Sequence, residues 1–241
     1  FGMSLKEKAE QILAQVEDVQ HMAHMYQGVL AGELKFSSAS TGKYVMPFLL
    51  SGFSAKYPDV NLQLDVTNKT KVIESLVNNE KDFALVSVVP NHLEIEQLGL
   101  MENRLFIVGP TDQELPEKKG PKILETLPLI YREQGSATRQ AMEDYIKYHK
   151  LNITPSNELT SNEAVKQAIL AGLGWSLMPI IGLKNEIFNN EVQVIPLKGL
   201  PIVTEWNLIW LKKKVLSPAM KAYLKHIREN RDVIIQEKFS W

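Results

Sequence analysis

Residues 32–64, GELKFSSASTGKYVMPFLLSGFSAKYPDVNLQL, change their hydrophobic period twice. Leu34 to Ser37 reads as a short strand. Ser40, Thr41 and Gly42 then punctuate the chain, and Val45, Phe48, Leu49 and Phe53 recur at helical spacing until Tyr57-Pro58-Asp59 ends the run. From Val60 the pattern alternates, with Leu62, Leu64 and Val66 apolar and their neighbours polar, as in a half-exposed strand. Strand, helix and strand in so short a span predict a crossover unit and therefore a parallel sheet.

The reading extends towards the C-terminus. Val72, Ile73, Leu76 and Val77 form one face of a second helix. Phe83 to Val89 is almost wholly apolar, as expected of a strand covered on both sides. A second series follows, with strands at Leu105–Val108, Leu129–Tyr131, Asn157–Leu159, Trp175–Met178, Val192–Ile195 and Trp206–Leu211. Helices are predicted at Ser136–Tyr148, Asn162–Ala171 and Pro218–Asn230, and the polar stretch Thr111–Pro121 reads as a loop. Two successive α/β series imply two lobes with a cleft between them.

Towards the N-terminus, Leu5, Ala9, Ile12, Val16, Val19, Ala23, Tyr26 and Leu30 step by four and three in turn. That is a heptad seam, suited to a paired helix of roughly 39 Å. His21 and His24 share a turn but have no third ligand in view, so no metal site is expected.

Composition narrows the function classes. The 241 residues hold 27 Lys and Arg against 28 Asp and Glu, without the basic excess that a segment gripping DNA by itself requires. There is no cysteine, which removes disulfides and thiolate chemistry. No nucleophile elbow, phosphate-cradling loop or zinc-binding His-Glu-x-x-His occurs, so neither an enzyme nor a cofactor is expected. No membrane span or secretory signal is visible, which suits a cytoplasmic protein without a membrane partner.

Three stretches share one physical form: a strand end, then small hydroxyl or amide residues, then a helix. They are Ser38–Gly42, Gln134–Arg139 and Thr160–Glu163. Each aims free backbone N–H groups and partial positive charge at the strand-end crevice, which makes a seat for a carboxylate, phosphate or sulfate. Ser161 and Asn162 belong to the third, and Arg139 offers a bidentate clamp in the second. The alternative for each is an ordinary helix cap. Glu163 either complements a helix dipole or bonds a ligand hydroxyl.

Residues 32–64 resemble the start of the effector domain of LysR-type transcription regulators. So do LVNNEKDFALV (76–86), YREQGSATRQAMEDY (131–145) and SNEAVKQAILAGLGWSLMP (161–179), with the nearest likeness to regulators of carbon fixation and cysteine synthesis. The resemblance implies an α/β, two-lobed type 2 periplasmic-binding-protein fold preceded by a long linker helix at residues 4–31. Lobe I would comprise residues 32–100 plus 206–241, and lobe II residues 101–205. It implies a small anionic effector in the cleft, at Ser40 and Thr41, at Gln134, Ser136 and Thr138, and at Asn68 and Ser87. It also implies a homodimer or homotetramer that reaches DNA only through a winged helix-turn-helix absent from this chain. The rival expectation is a solute-binding protein of a transport system, which would be exported and monomeric.

Overall fold

The computed structural model describes residues 30–114, 120–154 and 157–241, together with Gly2, Leu5, Lys8, Ala9, Ile12 and Val16. Those six are helical and exposed; Leu30, the last seam position, is not helical and packs against the buried core, while Val19, Ala23 and Tyr26, with His21 and His24, lie outside the described residues.

The opening stretch folds as its periods predict. Strand β1 (Gly32–Ala39) leads through a tight 3-10 turn at Ser40–Tyr44 into helix α1 (Met46–Lys56), and β2 (Val60–Thr67) returns parallel to β1. Helix α2 (Lys69–Val77) then crosses to β3 (Phe83–Val86), which lies parallel to β1 on its other side. Strand β3 is apolar on both faces because both are covered. Phe83 and Leu85 join a core with α1 and the C-terminal helix α6 (Pro218–Phe239), whereas Ala84 and Val86 pack with Val72 and Leu76 of α2. Phe36, Phe53, Phe83 and Tyr223 interlock at the centre of the first core, with ring centroids 4.9–5.6 Å apart.

The second half has its own cores. Strands β4 (Ile95–Pro110), β7 (Ser176–Pro179) and β8 (Val192–Ile195) form an antiparallel array, and β5 (Ile130–Arg132) pairs parallel with β6 (Asn157–Leu159). Helix α3 (Ala137–Tyr148) buries Met142 and Tyr145 against one face. Helix α4 (Asn162–Leu170) buries Val165 and Ile169 against the other, and a short α5 (Lys184–Phe188) follows. Gly109 admits Trp175 to this core: a Cβ there would stand 2.0 Å from the indole ring.

With strand β9 (Ile202–Leu211), one sheet joins the halves, in the order β2-β1-β3-β9-β4-β7, and β8 also lies on β4. Strands β4 and β9 are much longer than Leu105–Val108 and Trp206–Leu211, the segments expected from apolar content. They pair antiparallel from Ile95 opposite Leu211 to Leu105 opposite Ile202, with a register shift between Gly99 and Met101. Their extra length carries Glu96, Glu102, Arg104 and Glu205 on solvent-facing positions, so the pairing depends on backbone hydrogen bonds rather than apolar runs. Conversely, the strand expected over Phe83–Val89 stops at Val86, and α6 continues to Phe239 rather than Asn230.

Candidate functional site

Three helix starts and one strand end meet in a cavity of about 40 Å³ between the halves. Asn68 caps α2 by accepting a hydrogen bond from the Lys71 N–H at 3.0 Å. Ser136 precedes α3 with its hydroxyl unused as a cap, and Asn162 opens α4. Of the residues singled out from the sequence, Ser40, Thr41, Asn68, Ser87, Ser136, Thr138 and Asn162 line the cavity. Gln134 and Ser161 do not. Gln134 is exposed with its amide against the Arg139 guanidinium, and the Ser161 hydroxyl accepts from the Ala164 N–H at 3.0 Å.

Arg139 is committed elsewhere too. Its Nε donates to Glu143 at 2.7 Å, and its Nη1 donates to Glu158 and, at 2.9 Å, to the Arg132 carbonyl. The arginine that reaches the cavity is Arg132, only 3% exposed, which sequence reading did not single out. Its guanidinium grips Glu133 in a bidentate pair at 2.8 and 2.9 Å, and its Nη1 donates to Ser40 Oγ at 3.2 Å. The same hydroxyl accepts from Asn162 Nδ2 at 2.8 Å. Ser40 of the first half is thus held by two residues of the second.

Sequence reading also missed Lys69, Asn103 and Thr204. Lys69 opens α2, lines the cavity and makes no ion pair among the described residues; burial lowers its pKa. Asn103 and Thr204 face each other across β4 and β9, joined by a 3.0 Å hydrogen bond from the amide to the hydroxyl. The Oδ1 atoms of Asn103 and Asn162 are buried with no donor among the described residues. The local signal for all of these is weak, because they lie far apart along the chain on elements without a motif.

Glu163 lies beside the cavity and ties the halves together. Its carboxylate accepts from Tyr44 Oη at 2.6 Å and pairs with Lys43 at 3.3 Å, both from the turn after β1. Burial by itself would raise the Glu163 pKa. Hydrogen bonds from Tyr44, Lys166 and Gln167, with the Lys166 charge, instead bring it down to about 2. Burial and the same carboxylate push the Tyr44 phenol well above its ordinary value. Gly182 lets the Tyr44 ring approach, since a Cβ there would stand 2.6 Å from it.

On its other side the cavity adjoins a broader groove of about 560 Å³. The two share Lys69, Val88, Ala137, Ala141 and Thr204. Among the described residues no group of three or more His, Asp or Glu could hold a metal ion, and no helix is long and apolar enough to cross a membrane.

Comparison with known proteins places this arrangement. The LysR substrate binding domain family matches residues 27–232. The chain belongs to the LysR family. The activator CmpR of Synechocystis sp. is 31% identical over 94% of this chain and 75% of its own length. A RuBisCO operon transcriptional regulator of Allochromatium vinosum is 31% identical over 88% of this chain and 71% of its own. The regulatory domain of CcmR from Synechocystis PCC6803, solved in complex with 2-PG, superposes with a TM-score of 0.76 at 30% identity, covering 87% of this chain and 98% of that one. The LysR chain described here is therefore an effector-sensing domain with the two-lobed type 2 periplasmic-binding-protein fold, and its relatives are transcription regulators rather than enzymes or transport proteins.

Proposed function

We propose that this domain binds one small anionic metabolite between its lobes, at Ser40, Thr41, Asn68, Ser87, Ser136, Thr138 and Asn162. Gln134 and Ser161 act from behind, through Arg139 and the α4 cap. The observation that carries this reading is the convergence of helix starts from both halves on one cavity beside the unpaired Lys69. The complex of the CcmR domain with 2-PG supports it.

In this reading lobe I comprises residues 32–100 with 206–241, and lobe II residues 101–205. The anion favours one lobe angle, and that preference alters how subunits sit in a homodimer or homotetramer in the cytoplasm. Residues 4–31 pair the subunits; the exposed apolar side chains of Leu5, Ile12 and Val16 on the seam support this. DNA is reached through a winged helix-turn-helix of the family and not through these residues. A ligand shifts such a balance only by its differential affinity for the two states.

Thermal unfolding tests the site. 2-PG, organic acids and sugar phosphates are screened, and an effector at about 100 times its Kd adds roughly 2.7 kcal/mol. Ser40→Trp and Ser136→Trp are expected to abolish the gain with circular dichroism unchanged. A gain that survives both substitutions places the ligand elsewhere.

A further inference from the structure

The inner cavity holds only a few atoms, yet Lys69 stands where it passes into the groove, lining both. Arg132 does not compete for the anion's charge, because the bidentate Glu133 pair already neutralises it. Among the described residues the uncompensated cation of the site therefore lies at the junction of the two spaces, not at the bottom of the smaller one. A ligand whose charge rests on Lys69 has its remaining atoms free to extend outwards.

The groove is shaped for such a body. One wall is the exposed side of α3, where Ala137 and Ala141 leave room for a ligand to lie flat. At its end three rings form a continuous surface: Tyr145 packs on His149 with centroids 4.5 Å apart, and Tyr148 meets His149 edge-on at 5.0 Å. Tyr148 is 82% exposed and offers an aromatic face to the groove. The Tyr145 hydroxyl is fixed by donating to the Lys198 carbonyl at 2.8 Å, which holds that ring in place. Val88 and Ile202, both apolar, also line it. Small polar side chains such as Ser40, Ser87 and Ser136 line part of the inner cavity, whereas apolar and aromatic surface dominates the outer one, beside Gln140 and Asp144.

We infer that the groove along α3 is a second subsite of the effector cleft, taking the apolar or aromatic body of an organic anion whose charged end sits at Lys69. This rests on the anion-binding reading of the inner cavity. The occupant is one molecule spanning both spaces, since the two are continuous through five shared residues. Apolar surface removed from water and ring-on-ring packing supply the added affinity.

Titration calorimetry on the intact chain with methyl phosphate, phenyl phosphate and 2-PG tests it. Phenyl phosphate is expected to bind about tenfold tighter than methyl phosphate. Tyr148→Ala and Gln140→Trp, one stripping a wall and one filling the groove, are expected to erase that advantage while changing 2-PG and methyl phosphate affinity less than twofold. Lys69→Met is expected to weaken all three anions. Equal binding of the two phosphates by the unaltered chain overturns the second subsite and leaves the anion cleft standing, as does an advantage that survives both groove variants. Failure of every anion to bind, or indifference of all to Lys69→Met, overturns the cleft reading and this inference with it.

Discussion

The two sides of the cleft are built to opposite ends. On one side the lobes are stitched: Ser40 accepts from Arg132 and Asn162, and Glu163 accepts from Tyr44 and Lys43. On the other side Lys69 makes no ion pair among the described residues, Tyr148 stands in solvent, and the inner cavity adjoins the groove. Most polar groups on the stitched side are engaged with one another, with Asn162 Oδ1 an exception, whereas the open side presents Lys69 and Tyr148 to the groove. A cleft needs both, because a ligand that had to assemble its own site would lose the ordering cost from its affinity.

The contrast predicts a graded series of effects. Arg132→Ala should be the most damaging, since it strands the Glu133 carboxylate, 13% exposed, and releases Ser40. About 3–5 kcal/mol should be lost in urea unfolding. A loss below about 1 kcal/mol would show that the stitch carries no structural burden.

Gly135→Ala should rank second. This residue has φ +83°, and a Cβ on it would stand 2.6 Å from Thr70 Oγ1 across the lobes. Roughly 1–2 kcal/mol from the left-handed conformation is expected, read as a lower midpoint in the same titration.

Tyr44→Phe should cost roughly 1 kcal/mol, because Lys166 and Lys43 still hold the carboxylate. It also sharpens a pH test. Glu163 has a folded pKa depressed from 4.5 to about 2, so its contribution is present at neutral pH and is lost as pH falls through that window. The phenol enlarges the depression, so the variant should lose less stability between pH 5 and pH 2 than the parent does, measured by thermal melts at stepped pH. An identical acid profile would remove Tyr44 from the stitch.

Tyr148→Ala, on the open side, should change stability by no more than about 0.5 kcal/mol. A larger loss would mean that the groove is part of the scaffold rather than a place for a guest.

Sequence reading was strongest where side-chain period and burial agree. Residues 32–64 change period at each element boundary, and β3 announces its two covered faces through an unbroken apolar run. It was weakest on β4 and β9, whose outer halves hold charged residues and whose pairing is a property of the backbone. The cavity shows the same division. Helix-start residues such as Ser136 and Asn162 were visible because small polar residues before a helical period are a local signal. That signal does not distinguish a free hydroxyl from one already engaged, which is why Ser161 was included although it caps Ala164. Arg139 stands out because it lies at a helix start, but Glu143, one turn along the same helix, and Glu158 on β6 already occupy its guanidinium. Lys69 and Thr204 lie 135 positions apart and meet only in three dimensions.

The long β4–β9 pair has a mechanical consequence. Two separate flexible tethers would let the lobes swing freely, but here both passages belong to one hydrogen-bonded ribbon, slipped in register at Gly99–Met101 and anchored by Arg231 donating to the Gly99 carbonyl at 2.6 Å. Turning one lobe against the other winds that ribbon, so resistance grows with angle as in a torsion bar. Asn103 and Thr204 sit on the ribbon and also line the cavity. On the proposed binding mode a metabolite presses on the spring itself, and a small twist at its middle is carried outwards to both ends of the molecule.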